Sequence, residues 1–402
     1  MSLVNIISAI GNNASVYPLL VRDCGIEIPS KVGMTYVQNL KDSKQMANNA
    51  LRERLIDEYG TSAIWLGGIP LMDCLCNKGI KKLGFNPNIN PSLFKESDKQ
   101  GLKLNIEKFK NLAPNEVKEI ENVLKNKGKY EKLLAGKFVL STAIPVFLMG
   151  YCLPKMNFAL TEKLRKKQNN VNKPSEKATS ENIAFKGNAV SALANMSTVN
   201  KMAVTDGGLT VGRVATARNK YEKLEMGFKM AGMMFLNFVA PWWIAKFFDG
   251  VSGKLFNTNV NLDPKILNDN EFLNSIKNKT LELPKENIIE FLDKNPDSKF
   301  SKLAEKFCGV KYLKNRIRDP REFVDENKIA KFKNEIEKFA KQANSTGDVN
   351  KFAKKALKVK SGNILANVAL SSLLLAVGLP KLTFILRKKV TGSDAEPGLI
   401  RE

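Results

Sequence analysis

Three long stretches of the chain contain only apolar and uncharged polar residues: 138–154, 230–245 and 361–380. A helix needs about 20 mainly apolar residues, with a range of about 17–25, to cross the hydrocarbon core of a bilayer. The third stretch has this length, and the other two approach it if flanking lysines extend to the headgroups. The pattern predicts membrane-spanning helices. The alternative is that these segments are buried helices of a large soluble protein.

A fourth stretch, 60–76, is interrupted by Asp73. A charged residue at the bilayer centre costs about 2.5–3.5 kcal/mol on insertion scales. We therefore expect this stretch to be interfacial or re-entrant. An acidic group at membrane depth marks an ion or substrate site by default, which makes Asp73 a candidate intramembrane polar site. The alternative is an Asp73 at the membrane surface, near Lys78.

Two of the apolar stretches end in the same phrase. Leu-Pro-Lys, two further residues and Phe-x-Leu begin at Leu153 and again at Leu379, and a basic cluster follows each time. The other two stretches also contain a proline. Proline removes a helical hydrogen bond and clashes with the preceding turn. The sequence therefore predicts helix kinks at Pro70, Pro154, Pro241 and Pro380.

An earlier motif, Asp-x-Gly followed by a hydrophobic residue, also occurs twice, at Asp23 and Asp206. Because the anchors recur in the same order, we expect a duplicated membrane module. Module one covers 1–167, with apolar segments at about 60–76 and 136–160. Module two covers 184–390, with apolar segments at about 229–248 and 361–386. A flexible linker, 168–183, connects the modules, and a tail covers 391–402.

Module two contains an insertion, 264–358, whose pattern predicts a small soluble helical subdomain. Five apolar residues share one helical stripe: Phe323, Ile329, Phe332, Ile336 and Phe339. Pro284 and Pro320 are at positions typical of the first residue of a helix. A protein partner could bind through this subdomain.

The chain is strongly basic, with 64 Lys and Arg against 40 Asp and Glu. Such an excess favours anionic partners, here a bilayer with anionic headgroups. A nucleic acid is an unlikely partner, because no reading motif is recognisable. The expected headgroup contacts follow the apolar segments: Lys155, Lys166, Lys167, Lys381, Arg387, Lys388 and Lys389.

Candidate chemistry is sparse. The chain has no histidine, which removes His-based nucleophilic triads and His-ligated metals. No metal site, catalytic residue or cofactor is expected, and an enzymatic activity is uncertain and not favoured. The five cysteines are expected to be reduced. The Gly-rich stretch 205–213 could form an anion-binding turn through its N–H groups, using Asp206, Gly207, Gly208 and Arg213, although a plain turn explains it too.

The sequence therefore predicts an all-α integral membrane protein built from two tandem pseudo-repeats, with a helical soluble insertion. The expected function is that of a non-enzymatic multi-pass membrane protein with basic helical faces and a scaffold or transport-related role. The expected localisation is a membrane, with large cytoplasm-facing regions. One alternative is a monotopic protein that binds anionic lipid at the membrane surface. A weaker alternative is a basic helical protein that binds nucleic acid.

Overall fold

The computed structural model describes residues 2–11, 17–41, 43–95, 100–169, 198–258, 260–285 and 287–394. The regular secondary structure in these ranges is helical, which confirms the predicted all-α class. The predicted linker 168–183 lies outside the described residues from 170 onward, and the predicted tail 391–402 from 395 onward. The side chains of Lys166 and Lys167 are outside the description too.

Six long helices form a ring in which each contacts the next and the last contacts the first. Gly208 of the fourth helix lies against Val146 of the third, and Gly212 lies against Gly150. These two helices therefore run parallel, and a Cβ on Gly212 would meet Gly150 backbone atoms at 3.1 Å. The six helices are α1 (17–39), α2 (44–82), α3 (127–169), α4 (Thr198–Thr216), α5 (Lys220–Phe256) and α6 (Val349–Thr391).

Three of the long helices are long and apolar enough to cross a membrane. They are α3 over Lys127–Leu164, α5 and α6, with 38, 37 and 43 residues. These are the three helices that the longest apolar stretches predict. The fourth stretch, 60–76, is not re-entrant: it forms part of the continuous helix α2.

Five of the six long helices, over their described lengths, contain one π-helical turn, and a proline follows two residues after each turn. The residue four positions before each proline is the middle residue of the π turn. The π turns are Asp23–Glu27, Ile64–Gly68, Leu148–Cys152, Phe235–Val239 and Leu374–Gly378, and the prolines are Pro29, Pro70, Pro154, Pro241 and Pro380.

This arrangement has a steric reason. A proline ring inside an α-helix collides with the carbonyl four residues earlier and leaves it without a donor. A π turn accommodates one extra residue, so the carbonyl moves away from the ring and the helix continues. The four prolines predicted to kink their helices thus lie where helices continue through a widened turn.

The remaining chain forms a helical head from two inserts. The first insert, 83–126, connects α2 to α3, and the second insert, 257–348, connects α5 to α6. Phe272, Phe300 and Phe339 are fully buried in the second insert. The helices of the head are Pro91–Phe94 (a 3-10 helix), Leu102–Phe109, Pro114–Lys125, Pro264–Leu267, Asn270–Lys277, Ile288–Lys294, Lys299–Cys308 and Glu326–Ser345.

The two inserts bind each other through buried amides. Gln100 donates to the carbonyl of Val324 at 2.8 Å and accepts from its N–H at 2.7 Å. Asn105 donates to the carbonyl of Pro320 at 2.7 Å. The predicted insertion 264–358 overlaps the second insert, but residues 349–358 already belong to α6. The first insert packs against the second insert.

The predicted stripe of the second insert lies on a helix, with Ile329, Ile336 and Phe339 buried and Phe332 packed against them. Phe323 instead lies before that helix and packs on the first insert. The predicted helix starts at Pro284 and Pro320 are wrong, because both residues lie outside helices. The helix after Pro320 begins at Glu326, where Asp325 caps it by accepting from the N–H of Lys328.

Replacing Gln100 by Ala should loosen the first insert from the second. The change leaves the N–H and C=O of Val324 unpaired, at about 1–3 kcal/mol each if they stay buried. Hydrogen exchange at the Val324 amide should accelerate about tenfold or more. Asn122→Ala is the matched control, since Asn122 bonds to Gly84 within the first insert at an exposed position; equal exchange in both variants would contradict the contact.

Burial raises the pKa of the Cys308 thiol to about 11. The stability linked to this shift is fully present below the unfolded pKa of about 8.5 and is lost as the pH rises through about 11. At pH 8 the folded thiolate fraction is roughly 10⁻³. A variant retaining Cys308 as its sole cysteine should therefore react with iodoacetamide more than 100-fold slower when folded than in urea. Similar rates would show that the thiol is not buried.

Candidate functional site

A layer of paired charges lies inside the ring, at the end of the bundle away from the head. Charged side chains are rare inside apolar bundles and mark functional positions by default. We call this set the charged layer: Glu27, Lys31, Glu53, Arg54, Asp57, Glu58, Arg213, Arg218, Glu222, Glu225, Lys229 and Arg387.

Two consecutive carboxylates of α2 bind two different helices. Asp57 accepts two hydrogen bonds from the Arg213 guanidinium of α4, at 2.7 and 2.8 Å. Arg213 also donates to the hydroxyl of Thr61 at 2.5 Å. Glu58 accepts from Lys229 of α5 at 2.8 Å. The pair 57–58 therefore ties α4 and α5 to the same turn of α2.

Two further clusters connect the ends of the helices. Arg218, which follows α4, pairs with Glu53 of α2 at 3.3 Å and with Glu222 of α5 at 2.8 Å. Its guanidinium also lies over the Phe158 ring of α3, 4.0 Å from the centroid. One charged group thus contacts three helices, and planar stacking with forked pairing is what a guanidinium provides.

Arg387 near the end of α6 donates to both oxygens of Glu225, at 2.5 and 2.8 Å. Arg387 is 1% exposed, so the predicted headgroup contact at this residue is wrong. In the sequence Arg387 lies between an apolar segment and two lysines, a pattern typical of a basic cluster at the membrane surface. The neighbouring Lys381, Lys388 and Lys389 are exposed, as a headgroup contact requires.

A small cavity of about 50 Å³ lies beside this layer, between α1, α2, α4 and α5. Asp23 and Asp206, the two aspartates of the recurring motif, both line it. Trp65 and Asn237 line it from α2 and α5. The repeated motif therefore converges on one cavity. Below it an apolar core of Trp65, Ile69, Met149, Leu209 and Met230 joins four helices.

A larger cavity of about 440 Å³ lies near the head, between the N-terminal helix Leu3–Gly11, α5, α6 and the second insert. Its wall carries a polar network. Lys360 pairs with Asp249 at 3.0 Å, and Asn363 donates to Asp249 at 2.8 Å and to Ser252 at 2.7 Å. Charges of both signs line the cavity, which suits a polar small molecule.

The other predicted site residues are placed as follows. Asp73 lies between Lys137 at 3.8 Å and Lys201 at 3.7 Å, in an ion pair that joins α2, α3 and α4. The expected anion-binding turn at 205–213 does not form, because these residues lie within α4. Helical hydrogen bonds occupy N–H groups that a phosphate would need. Lys155 donates to the hydroxyl of Tyr151 at 2.9 Å.

The sequence reasoning missed the charged layer and Pro29. A signal was present: polar residues at helical spacing, at 53, 54, 57 and 58 and again at 222, 225 and 229, precede two apolar stretches. A search for charge-free runs passes over such residues. In an interrupted helix, charges three or four residues apart share one face and can point into the bundle.

Replacing Arg387 by Met should destabilise the bundle by about 3–5 kcal/mol, because the buried Glu225 carboxylate loses the guanidinium that donates to both of its oxygens. Lys388→Met, one residue on, is exposed and should change stability by less than about 0.5 kcal/mol. Thermal unfolding in detergent measures both. The double variant Arg387→Met with Glu225→Leu should recover part of the loss, since it removes both charges. A loss in Lys388→Met as large as in Arg387→Met would refute the burial of Arg387.

Among the described residues, no group of three or more Cys, Asp and Glu side chains is arranged to hold a metal ion. The five cysteines are free thiols. No protein-family model, curated protein or solved structure matches this chain.

Proposed function

We propose that the bundle α1–α6 is embedded in a membrane and that its charged interior serves a transport-related, non-enzymatic role for small charged solutes. The observation that carries the proposal is the reversed polarity of the bundle. Large apolar side chains face outward, whereas ionisable side chains pair inside. Soluble bundles show the opposite arrangement.

The exterior of the bundle supports lipid contact. Only 39%, 11% and 33% of the apolar windows of α3, α5 and α6 are buried within the protein. Trp242 and Trp243 are 55% and 56% exposed on α5. Such a continuous apolar surface requires a cover of lipid or protein.

The interior supports a role beyond stability. Replacing a buried ion pair with apolar residues is often neutral or stabilising. A bundle that keeps Glu58–Lys229, Asp57–Arg213 and Glu225–Arg387 inside an apolar exterior is therefore better explained by solute binding. Sites of transport proteins lie between repeats, at interrupted helices.

The proposed tandem repeat is supported by ungapped sequence matches. Residues 5–25 and 188–208 are identical at eight of 21 positions, and 70–90 and 241–261 at six of 21. If the register of the second match is extended upstream, Glu58 and Lys229 are equivalent, each twelve residues before its proline. These equivalent residues pair with each other at 2.8 Å. If a pseudo-twofold axis relates two modules, residues at equivalent positions contact each other close to that axis.

The packing of the third helix of each module supports the same proposal. Leu153 and Leu379 are equivalent residues, each directly before the proline of the repeated phrase. Leu153 lies against Gly60 of α2, and Leu379 lies against Gly232 of α5. Each module thus uses a glycine on its second helix to admit the same leucine.

One observation favours a second candidate, the monotopic membrane-surface protein. At the end of α3 away from the head, Arg52 donates to Thr161 at 2.6 Å, whereas α4 begins near the Asp73–Lys201 pair on the head side. The chain between Asn169 and Thr198 connects opposite ends of the bundle. It contains three lysines and two glutamates, which are costly to place in lipid. A bundle embedded from one side would not have to bring these charged residues across the hydrocarbon.

Brominated acyl chains test the lipid contact. In vesicles with such lipids, fluorescence of Trp242 and Trp243 should be quenched, because both rings face outward. The variant Trp242→Phe/Trp243→Phe retains only Trp65, which is 5% exposed, and should lose most of the quenching. Quenching confined to Trp65, or none at all, would reject the proposal. Release of the protein from membranes by alkaline carbonate would reject it as well.

Single-cysteine variants distinguish the two candidates. Lys41→Cys lies at the end of the bundle away from the head, and Lys294→Cys lies on the exposed face of the second insert. In sealed vesicles a membrane-impermeant maleimide should label only one of them if the bundle spans the bilayer. Labelling of both from one side would establish the monotopic arrangement.

A further inference from the structure

Four buried polar atoms at the small cavity between α1, α2, α4 and α5 have no hydrogen-bond partner. They are Oδ1 of Asp23, Oε2 of Glu27, Oδ1 of Asn237 and Nε1 of Trp65. Glu27 is 2% exposed and Trp65 5% exposed. A buried polar group without a partner costs about 1–3 kcal/mol, so four around one cavity indicate an occupant.

All four residues belong to π turns. Asp23 and Glu27 lie at the two ends of the π turn of α1, Trp65 lies in that of α2, and Asn237 lies at the middle of that of α5. The π turns of α1, α2 and α5 therefore meet at the cavity. π turns inside α-helices occur frequently at functional sites.

The three oxygens call for a cation. Two belong to carboxyl groups of α1, and the third belongs to a carboxamide of α5. Asp206 adds a further carboxyl group to the wall. Only one of the four unpaired atoms, Nε1 of Trp65, is a donor, so an occupant must satisfy mainly acceptors.

Three basic groups around the cavity are engaged elsewhere, whereas the Arg22 Nε has no hydrogen-bond partner and faces Asp23 as an ion pair. Lys31 pairs with the other oxygen of Glu27, and Lys229 pairs with Glu58. Arg213 is held by Asp57. Arg22 approaches Asp23 Oδ1 only to 3.9 Å, beyond a hydrogen bond. An additional positive charge in the cavity would therefore have carboxylate oxygens available to it.

We propose that this cavity binds one small monovalent cation, Na⁺, through the oxygens of Asp23, Glu27 and Asn237. A cavity of about 50 Å³ holds one such ion with a water molecule. The water oxygen would accept the Trp65 N–H. Hard oxygen donors, carboxylate and carboxamide, suit such an ion.

The fluorescence of Trp65 reports on the site. In the Trp242→Phe/Trp243→Phe background in detergent, NaCl is titrated against choline chloride at constant ionic strength. The expected result is a saturable change in Trp65 emission. The midpoint should rise at least tenfold in Asp23→Asn and in Asn237→Leu. Asp73→Asn, a carboxylate of α2 outside the cavity, should leave the midpoint within twofold. If a variant fails to fold, the Na⁺-dependent rise in melting temperature of the parent measures the same binding.

Three outcomes would overturn the proposal: no saturable response to Na⁺, an equal response to choline, or a response to pH alone that Asp23→Asn abolishes. The last would mean that Asp23 and Glu27 share a proton instead. The measurement is independent of the membrane proposal, since it is made in detergent. Cation binding by a protein that carbonate releases would retain this inference and reject the membrane embedding.

Discussion

The ion pairs that Asp57 and Glu58 make with Arg213 and Lys229 hold the centre of the bundle. Two adjacent residues of one helix point toward two different neighbours, so α2, α4 and α5 cannot shift independently without leaving a charge unpaired. Breaking such a pair costs several kcal/mol when the remaining partner stays buried. The charged layer therefore fixes the register of the helices. The apolar residues outside it leave the register open, because apolar contacts are non-directional.

The second constraint comes from proline. A residue that lacks an N–H would break an ordinary helix, yet five long helices continue through theirs by widening the preceding turn. The widened turns place Asp23, Glu27, Trp65 and Asn237 around one cavity. α4 has Gly212 at the position equivalent to Pro29 and shows no π turn, and Gly212 there allows the close approach of α3. The proposed modules thus differ at this helix, and the candidate ion site lies mainly on the α1 side.

The head connects the two proposed modules at one end. Each insert leaves the second long helix of its module and leads into the third. The side-chain amides of Gln100 and Asn105 in the first insert form buried hydrogen bonds to the backbone of the second insert. Binding between the inserts keeps α2–α3 and α5–α6 together at the head, while the charged layer keeps them together at the opposite end. The small cavity lies beside the charged layer, and the larger cavity lies against the head.

The sequence by itself determined the all-α class and the three long apolar helices. It also showed the recurring motif around Pro154 and Pro380. Hydrophobic length and helical period are local properties and survive without tertiary information. It also predicted the stripe of the second insert. It misplaced the helix starts at Pro284 and Pro320, since proline is equally frequent in turns and the Asp325 cap decides the boundary. Only the tertiary structure decided that Arg387 is buried, that 205–213 is helical and that Asp23 and Asp206 share a cavity. The partners of a charged side chain come from distant parts of the chain, and no local pattern specifies them.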